Sequence, residues 1–136
     1  MARTGWRVWA SVAGLAVPWV LGSCAAGDDQ AVSSVAEELL ISASQQQGAK
    51  ACSLLAPGAV KELEASSGQP CDQAILEEDL DAAGEPLGVQ VFDTMAQVRF
   101  ESDTVFLSRF DGKWLVVAAA CVPQPGRPFD CDIQVS

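Results

Sequence analysis

Histidine and tyrosine are absent from the 136-residue chain, and bases are few: 8 Lys plus Arg stand against 18 Asp plus Glu, for a net charge of −10. Without His the sequence lacks the commonest general base and a usual zinc ligand, and without Tyr a common phenolic donor. The shortage of Lys and Arg excludes a nucleic-acid binder, whose affinity comes from neutralising phosphates. No GxSxG, P-loop or dinucleotide glycine pattern occurs, and no serine has a histidine to activate it. There is no CxxC pair and no close cysteine spacing of the kind zinc knuckles use, so neither a metal nor a cofactor is expected. The length fits a single domain, since roughly 100–200 residues make one.

What is present begins with an address. Residues 1–23 open on a stretch carrying Arg3 and Arg7, continue through the apolar run Val8–Leu21 and end on Gly22 and Ser23. This is the layout of a secretory signal. The apolar run is shorter than the about 20 residues that cross a bilayer, and Pro18 interrupts it. Arg3 and Arg7 are separated, so there is no twin-arginine signature. The exit Leu21-Gly22-Ser23-Cys24 resembles the lipobox of bacterial lipoproteins. The resemblance implies that Cys24 receives a diacylglyceryl group on sulfur and becomes the mature N-terminus. Removal of residues 1–23 takes two arginines and no acid, so six bases would face the same 18 acids at a net charge of −12. An anionic leaflet repels such a surface. Two acyl chains hold a protein where one binds only marginally, so the anchor would keep the chain at the membrane. Residues 24–30 are then expected to be the lipidated Cys and a short tether, and 31–136 one folded domain.

Four cysteines remain beyond Cys24: Cys52, Cys71, Cys121 and Cys131. An even number in an exported chain reads as disulfides. Four cysteines allow three pairings, and sequence alone does not choose among them. Each half of the domain holds two, which favours Cys52–Cys71 and Cys121–Cys131. On the loop-entropy argument each is worth about 3 kcal/mol.

Val32, Val35, Ala36, Leu39, Leu40 and Ala43 recur at steps of three and four, which predicts an amphipathic helix from Asp28 to Gln47, capped by Asp28 or Asp29 and stopped by Gly48. A second helical stretch starts near Lys50, passes Cys52, Leu54 and Leu55, and restarts at Pro57 with Val60, Leu63 and Ala65 on its apolar face. Ser66–Pro70 breaks it, and a third helix is expected over Cys71–Leu80. After the Ala82–Pro86 break the apolar period becomes two, predicting strands at 89–92, 96–100, 104–110 and 113–122. Asp111-Gly112 is a two-residue hairpin signal, and Glu101-Ser102-Asp103 a longer turn, so the strands form an antiparallel meander. The tail 123–130, with three prolines and a glycine, is expected to be a loop. The fold class is α+β: N-terminal helices packed on a curved antiparallel sheet of about four strands, with two disulfides.

Helices before a meander, with Ala51-Cys52-Ser53-Leu54-Leu55-Ala56-Pro57, Pro70-Cys71, the run from Asp111-Gly112-Lys113-Trp114 to Cys121, and Pro128-Phe129-Asp130-Cys131, resemble small secreted lipoproteins of high-GC Gram-positive bacteria. The resemblance covers nearly all the chain after the leader. It implies an NTF2-like, cystatin-like α+β cone and an envelope location, but no activity; relative to full NTF2-like domains this chain is short by one or two strands, which speaks against a deep ligand cone. Enzymes on that fold, such as ketosteroid isomerase and scytalone dehydratase, use an inward Asp or His with Tyr or His partners, and this chain has neither partner type.

No catalytic residue is therefore assigned. Asp93, Glu101 and Asp103 fall at strand ends, where exposed turn carboxylates are expected. Glu77-Glu78-Asp79 with Asp81 lacks the calcium-loop pattern and reads as a solvated helix end. Arg99 and Arg109, on neighbouring strands, are expected outside as partners for the carboxylates, or on one side holding an anion. Trp114 is expected in the core. If a ligand sits between helices and sheet, Phe100, Phe106, Trp114, Ala118 and Ala120 would line its space. The leading functional expectation is a lipid-anchored, non-catalytic accessory or binding module with an envelope protein as partner. A carrier or sensor of a small apolar or amphiphilic ligand is the second, and a cryptic isomerase or hydrolase the third.

Overall fold

The computed structural model describes residues 24–82 and 84–136; the leader 1–23, with Leu21, Gly22 and Ser23 of the cleavage motif, and Ala83 lie outside them. Helix α1 (Cys24–Ser44) buries Val32, Ala36, Leu39, Leu40 and Ala43, the stripe its spacing predicts. It starts earlier than expected. The stretch read as a tether is its first two turns, and Asp28 and Asp29 lie inside the helix rather than at its cap. Asp28 has a different use, an ion pair with Arg109.

The helix also ends differently, because Gln46 takes the left-handed conformation (φ 60°) that Gly48 was expected to supply. Gly48 instead opens α2 (Gly48–Ser53), where a Cβ would lie 1.8 Å from the Asp72 carbonyl oxygen. Its lack of a side chain is what lets α2 approach α4 (Cys71–Ala74), and the Cys52–Cys71 disulfide fastens the pair. Between them, α3 (Pro57–Ser67) begins on a proline whose missing N–H costs nothing there and ends on Gly68 at φ 71°. Ala59 and Leu63 are its buried residues, whereas Ala65 is exposed. The third expected helix is cut to one turn. Ile75 and Leu80 are still buried, Ile75 in the turn that follows α4 and Leu80 in irregular chain beyond it.

The sheet has five antiparallel strands in sequence order: β1 (Gly88–Phe92), β2 (Met95–Arg99), β3 (Thr104–Phe110), β4 (Lys113–Val122) and β5 (Asp130–Gln134). It is not strongly curled. Asp111 and Gly112 both have positive φ, 47° and 81°, as a type I′ turn requires. The fifth strand corrects the expectation of four. The proline-rich loop stops at Phe129, and the short strand after it offers a single fully buried apolar residue, Ile133, too little alternation to read. Cys121 and Cys131 stand directly opposite each other across β4 and β5, 4.0 Å apart at Cα, and form the second disulfide.

Helices cover one face of this sheet. Val98, Val105, Leu107, Trp114, Val116 and Ile133 point into them and meet Leu39, Leu40 and Ile75. Along β4 the inward set is Trp114 and Val116, then Ala119 and Cys121, because a register shift between Phe106 and Leu107 inserts Val117. One extra residue reverses the alternation. Ala118 thereby pairs with Phe106 on the opposite, outer face. Where β5 runs out, Leu54–Ala56 takes over the edge of β4: Val116 N–H donates to Leu54 and Ala56 N–H to Val116, at 2.9 and 2.8 Å.

Candidate functional site

One end of the sheet carries the β2–β3 turn and the 123–129 loop, and there a cleft of about 320 Å³ opens between Arg99–Thr104 and Cys121–Pro123. Its floor is Asp103. The turn closes by Phe100 N–H donating to the Asp103 carbonyl at 2.8 Å, which swings the carboxylate under β4 and leaves the residue only 5% exposed. Oδ1 accepts from Cys121 N–H at 2.8 Å and Oδ2 from Ala120 N–H at 3.1 Å. Ala120 sits at φ 52°, a conformation that is unfavourable for an L-residue without outside support, and the carboxylate supplies it. The expected exposed turn carboxylate is therefore a buried one, while Asp93 and Glu101 are exposed as expected. Burial pushes the Asp103 carboxyl above its ordinary value; the amides of Cys121, Ala120 and Thr104 pull it down, and Asp132 adds to the rise. Both oxygens are engaged by backbone. Asp103 is built as a brace, and the polar side chains left to meet a ligand are Arg99, Glu101 and Ser102 at the exposed mouth.

The five candidate ligand-lining residues do not share a space. Phe100 and Trp114 are buried in the core, Phe106 and Ala118 lie on the outer face, and Ala120 is partly buried at the kink above Asp103. Phe106 packs edge-on against Phe129 of the loop, ring centres 5.1 Å apart. Arg99 and Arg109 are also separated. Arg99 pairs with Thr104 at the cleft end, whereas Arg109 lies at the other end, its guanidinium 4.5 Å above Trp114 and 2.6 Å from the Asp28 carboxylate. That makes Arg109 half-buried on the helix side, not outside. In the acidic run, Glu78 has its carboxyl raised, by partial burial first and then by Asp132 and Glu77. Among the described residues no group of three or more His, Cys, Asp or Glu side chains is placed to hold a metal ion, and no described helix is long and apolar enough to cross a membrane. The two disulfides mark a domain that matures outside the reducing cytoplasm.

The opposite end of the sheet carries an apolar patch that is not among the expected site residues. Phe92, Met95 and Phe110 project from the outer face at 63%, 55% and 41% exposure. Phe92 and Met95 pair across β1 and β2 and, with Gln97 and Phe106, border an apolar depression of about 320 Å³. The signal was available. With Val89 and Val91 inward, Phe92 must point out, and with Ala96 and Val98 inward, so must Met95. Comparison of the chain with protein-family models, with curated proteins and with solved structures finds no match in any of the three.

Proposed function

We propose that this chain is a lipid-anchored envelope protein, a non-catalytic accessory or binding module held on the outer side of the cytoplasmic membrane through Cys24. The observation that carries this reading is the use of the cysteines. All four in the folded domain are taken up in disulfides with one another, so Cys24 of the Leu21–Cys24 motif has no cysteine of the described domain left to pair with. An acceptor thiol directly after an exported leader is what lipidation needs. The non-catalytic part draws support from Asp103, the one deeply buried carboxylate of the cleft, whose oxygens are committed to backbone amides. The exposed Arg99, Glu101 and Ser102 at the cleft mouth suit a polar protein contact. Kinship with the small secreted lipoproteins of high-GC Gram-positive bacteria, in a flatter form of the NTF2-like layout, belongs to the same proposal. The carrier reading draws less support, since the helix–sheet interior is occupied by Leu39, Leu40, Ile75, Val105 and Leu107.

Fractionation of cells expressing the full chain and its Cys24→Ser variant tests the proposal. The wild type is expected in the membrane fraction as a chain cut before Cys24, and the variant as a longer chain that keeps residues 1–23. The same chain length for both would remove the lipidated anchor from the account.

A further inference from the structure

The exposed Phe92, Met95 and Phe110 stand at the end of the domain where the anchor leaves it. Asp28, four residues after Cys24, is tied to Arg109 by a 2.6 Å ion pair. Arg109 is the neighbour of Phe110 in β3, and its N–H donates to Thr94 of the β1–β2 turn at 2.8 Å. At about 1.5 Å per helical residue, Cys24 begins α1 only about 6 Å along the axis from that ion pair. The two hairpin tips, Asp93-Thr94 and Asp111-Gly112, thus lie beside the start of α1. Phe92 and Met95 flank one tip, and Phe110 and Lys113 flank the other.

We infer that this hairpin end rests on the bilayer, with Phe92, Met95 and Phe110 buried in the lipid interface beside the acyl chains on Cys24. The inference rests on the lipidation proposed above and goes beyond it by fixing which face of the domain meets lipid. A short link leaves the domain end nowhere else to go, because α1 runs as helix from Cys24 without an intervening coil. Three large apolar side chains clustered at that end gain by leaving water, as an interfacial anchor does. The acids nearby, Asp28, Asp29, Asp93 and Asp111, outnumber Arg109 and Lys113. Contact is therefore apolar in character and strongest on zwitterionic lipid. This orientation turns the cleft lined by Arg99, Glu101, Ser102 and Val122, at the opposite end of the strands, away from the membrane and toward partners.

The test places a tryptophan at each end of the processed, full-length lipoprotein and measures quenching by lipids brominated near the headgroup. Phe92→Trp and, as a second reporter in case the first disturbs the fold, Met95→Trp probe the hairpin end. Val122→Trp probes the far end, and the emission of the unsubstituted protein, whose Trp114 lies near the hairpin end, is subtracted as background. In phosphatidylcholine vesicles the hairpin-end reporters are expected to lose at least about half of their emission while Val122→Trp is unchanged, and anionic phosphatidylglycerol is expected to weaken the effect. Protein that does not sediment with the vesicles at all would overturn the anchored reading and this inference with it. Protein that sediments with both ends equally unquenched overturns the docking alone. A hairpin-end reporter shielded from water but not quenched, accompanied by a cross-linked dimer, would assign the patch to a second copy of the chain and likewise overturn it.

Discussion

Replacing Asp103 by alanine removes the side-chain acceptor of two backbone amides, those of Ala120 and Cys121 at 3.1 and 2.8 Å. Leaving a buried donor unpaired costs about 1–3 kcal/mol, so the pair is worth about 2–4 kcal/mol once some water enters from the cleft. The left-handed Ala120 would also lose its support, which adds to the same side. For a domain of this size the loss lowers Tm by about 10–25 °C. Asp103→Asn keeps one acceptor oxygen but sets its NH2 group against the other backbone N–H, so it should cost at least half as much. Burial raises the Asp103 carboxyl above its ordinary 3.8. With the folded value above the unfolded one, the native state holds more protons between the two, so stability falls as pH rises through that window and is recovered on acidification. The wild type should therefore gain more stability than Asp103→Asn as pH is lowered from 7 to about 4. Urea denaturation followed by Trp114 fluorescence, at several pH values, gives all three numbers. An alanine variant within about 0.5 kcal/mol of wild type would refute the brace. An asparagine variant with the same pH slope as wild type would refute the raised carboxyl and leave the brace to the alanine variant.

Other expectations follow from the packing. Gly48→Ala would place a methyl group onto the Asp72 carbonyl and force α2 from α4, a destabilisation of about 1–3 kcal/mol by thermal melt; an unchanged Tm would mean that this approach is not fixed. Ser42 is fully buried and its hydroxyl has no hydrogen-bond partner, so Ser42→Ala should be neutral or stabilising by up to about 1 kcal/mol in denaturant titration, and a loss of stability would reveal an unseen partner. Paired Cys121→Ser and Cys131→Ser substitutions should cost about 3 kcal/mol and expose the 123–129 loop to protease before the rest of the chain; cleavage elsewhere first would contradict the role given to that bridge.

Much of the fold was legible because it follows from period. The α1 stripe, the switch from helical to alternating spacing after Pro86, the Asp111-Gly112 turn and both disulfides stand in the structure as the residues indicate. The departures have local causes. A single inserted residue, Val117, moved Ala118 to the outer face, and a bulge leaves no mark in an Ala-rich run. β5 hid behind a loop with three prolines. Asp103 looked like any turn acid, and only the tertiary approach of Ala120 and Cys121 makes it structural. The apolar end at Phe92, Met95 and Phe110 was readable from alternation alone. Its meaning was not, because that depends on Asp28 and Arg109, 81 positions apart, bringing the start of α1 to the same place.

The most direct test of the anchored module is the intact mass of the protein extracted from the membranes of a lipoprotein-processing bacterium. The account predicts a chain that begins at Cys24, carries a diacylglyceryl group and lacks the hydrogens lost in two disulfides. A chain that begins at any other residue, or that carries an unmodified Cys24, would contradict it.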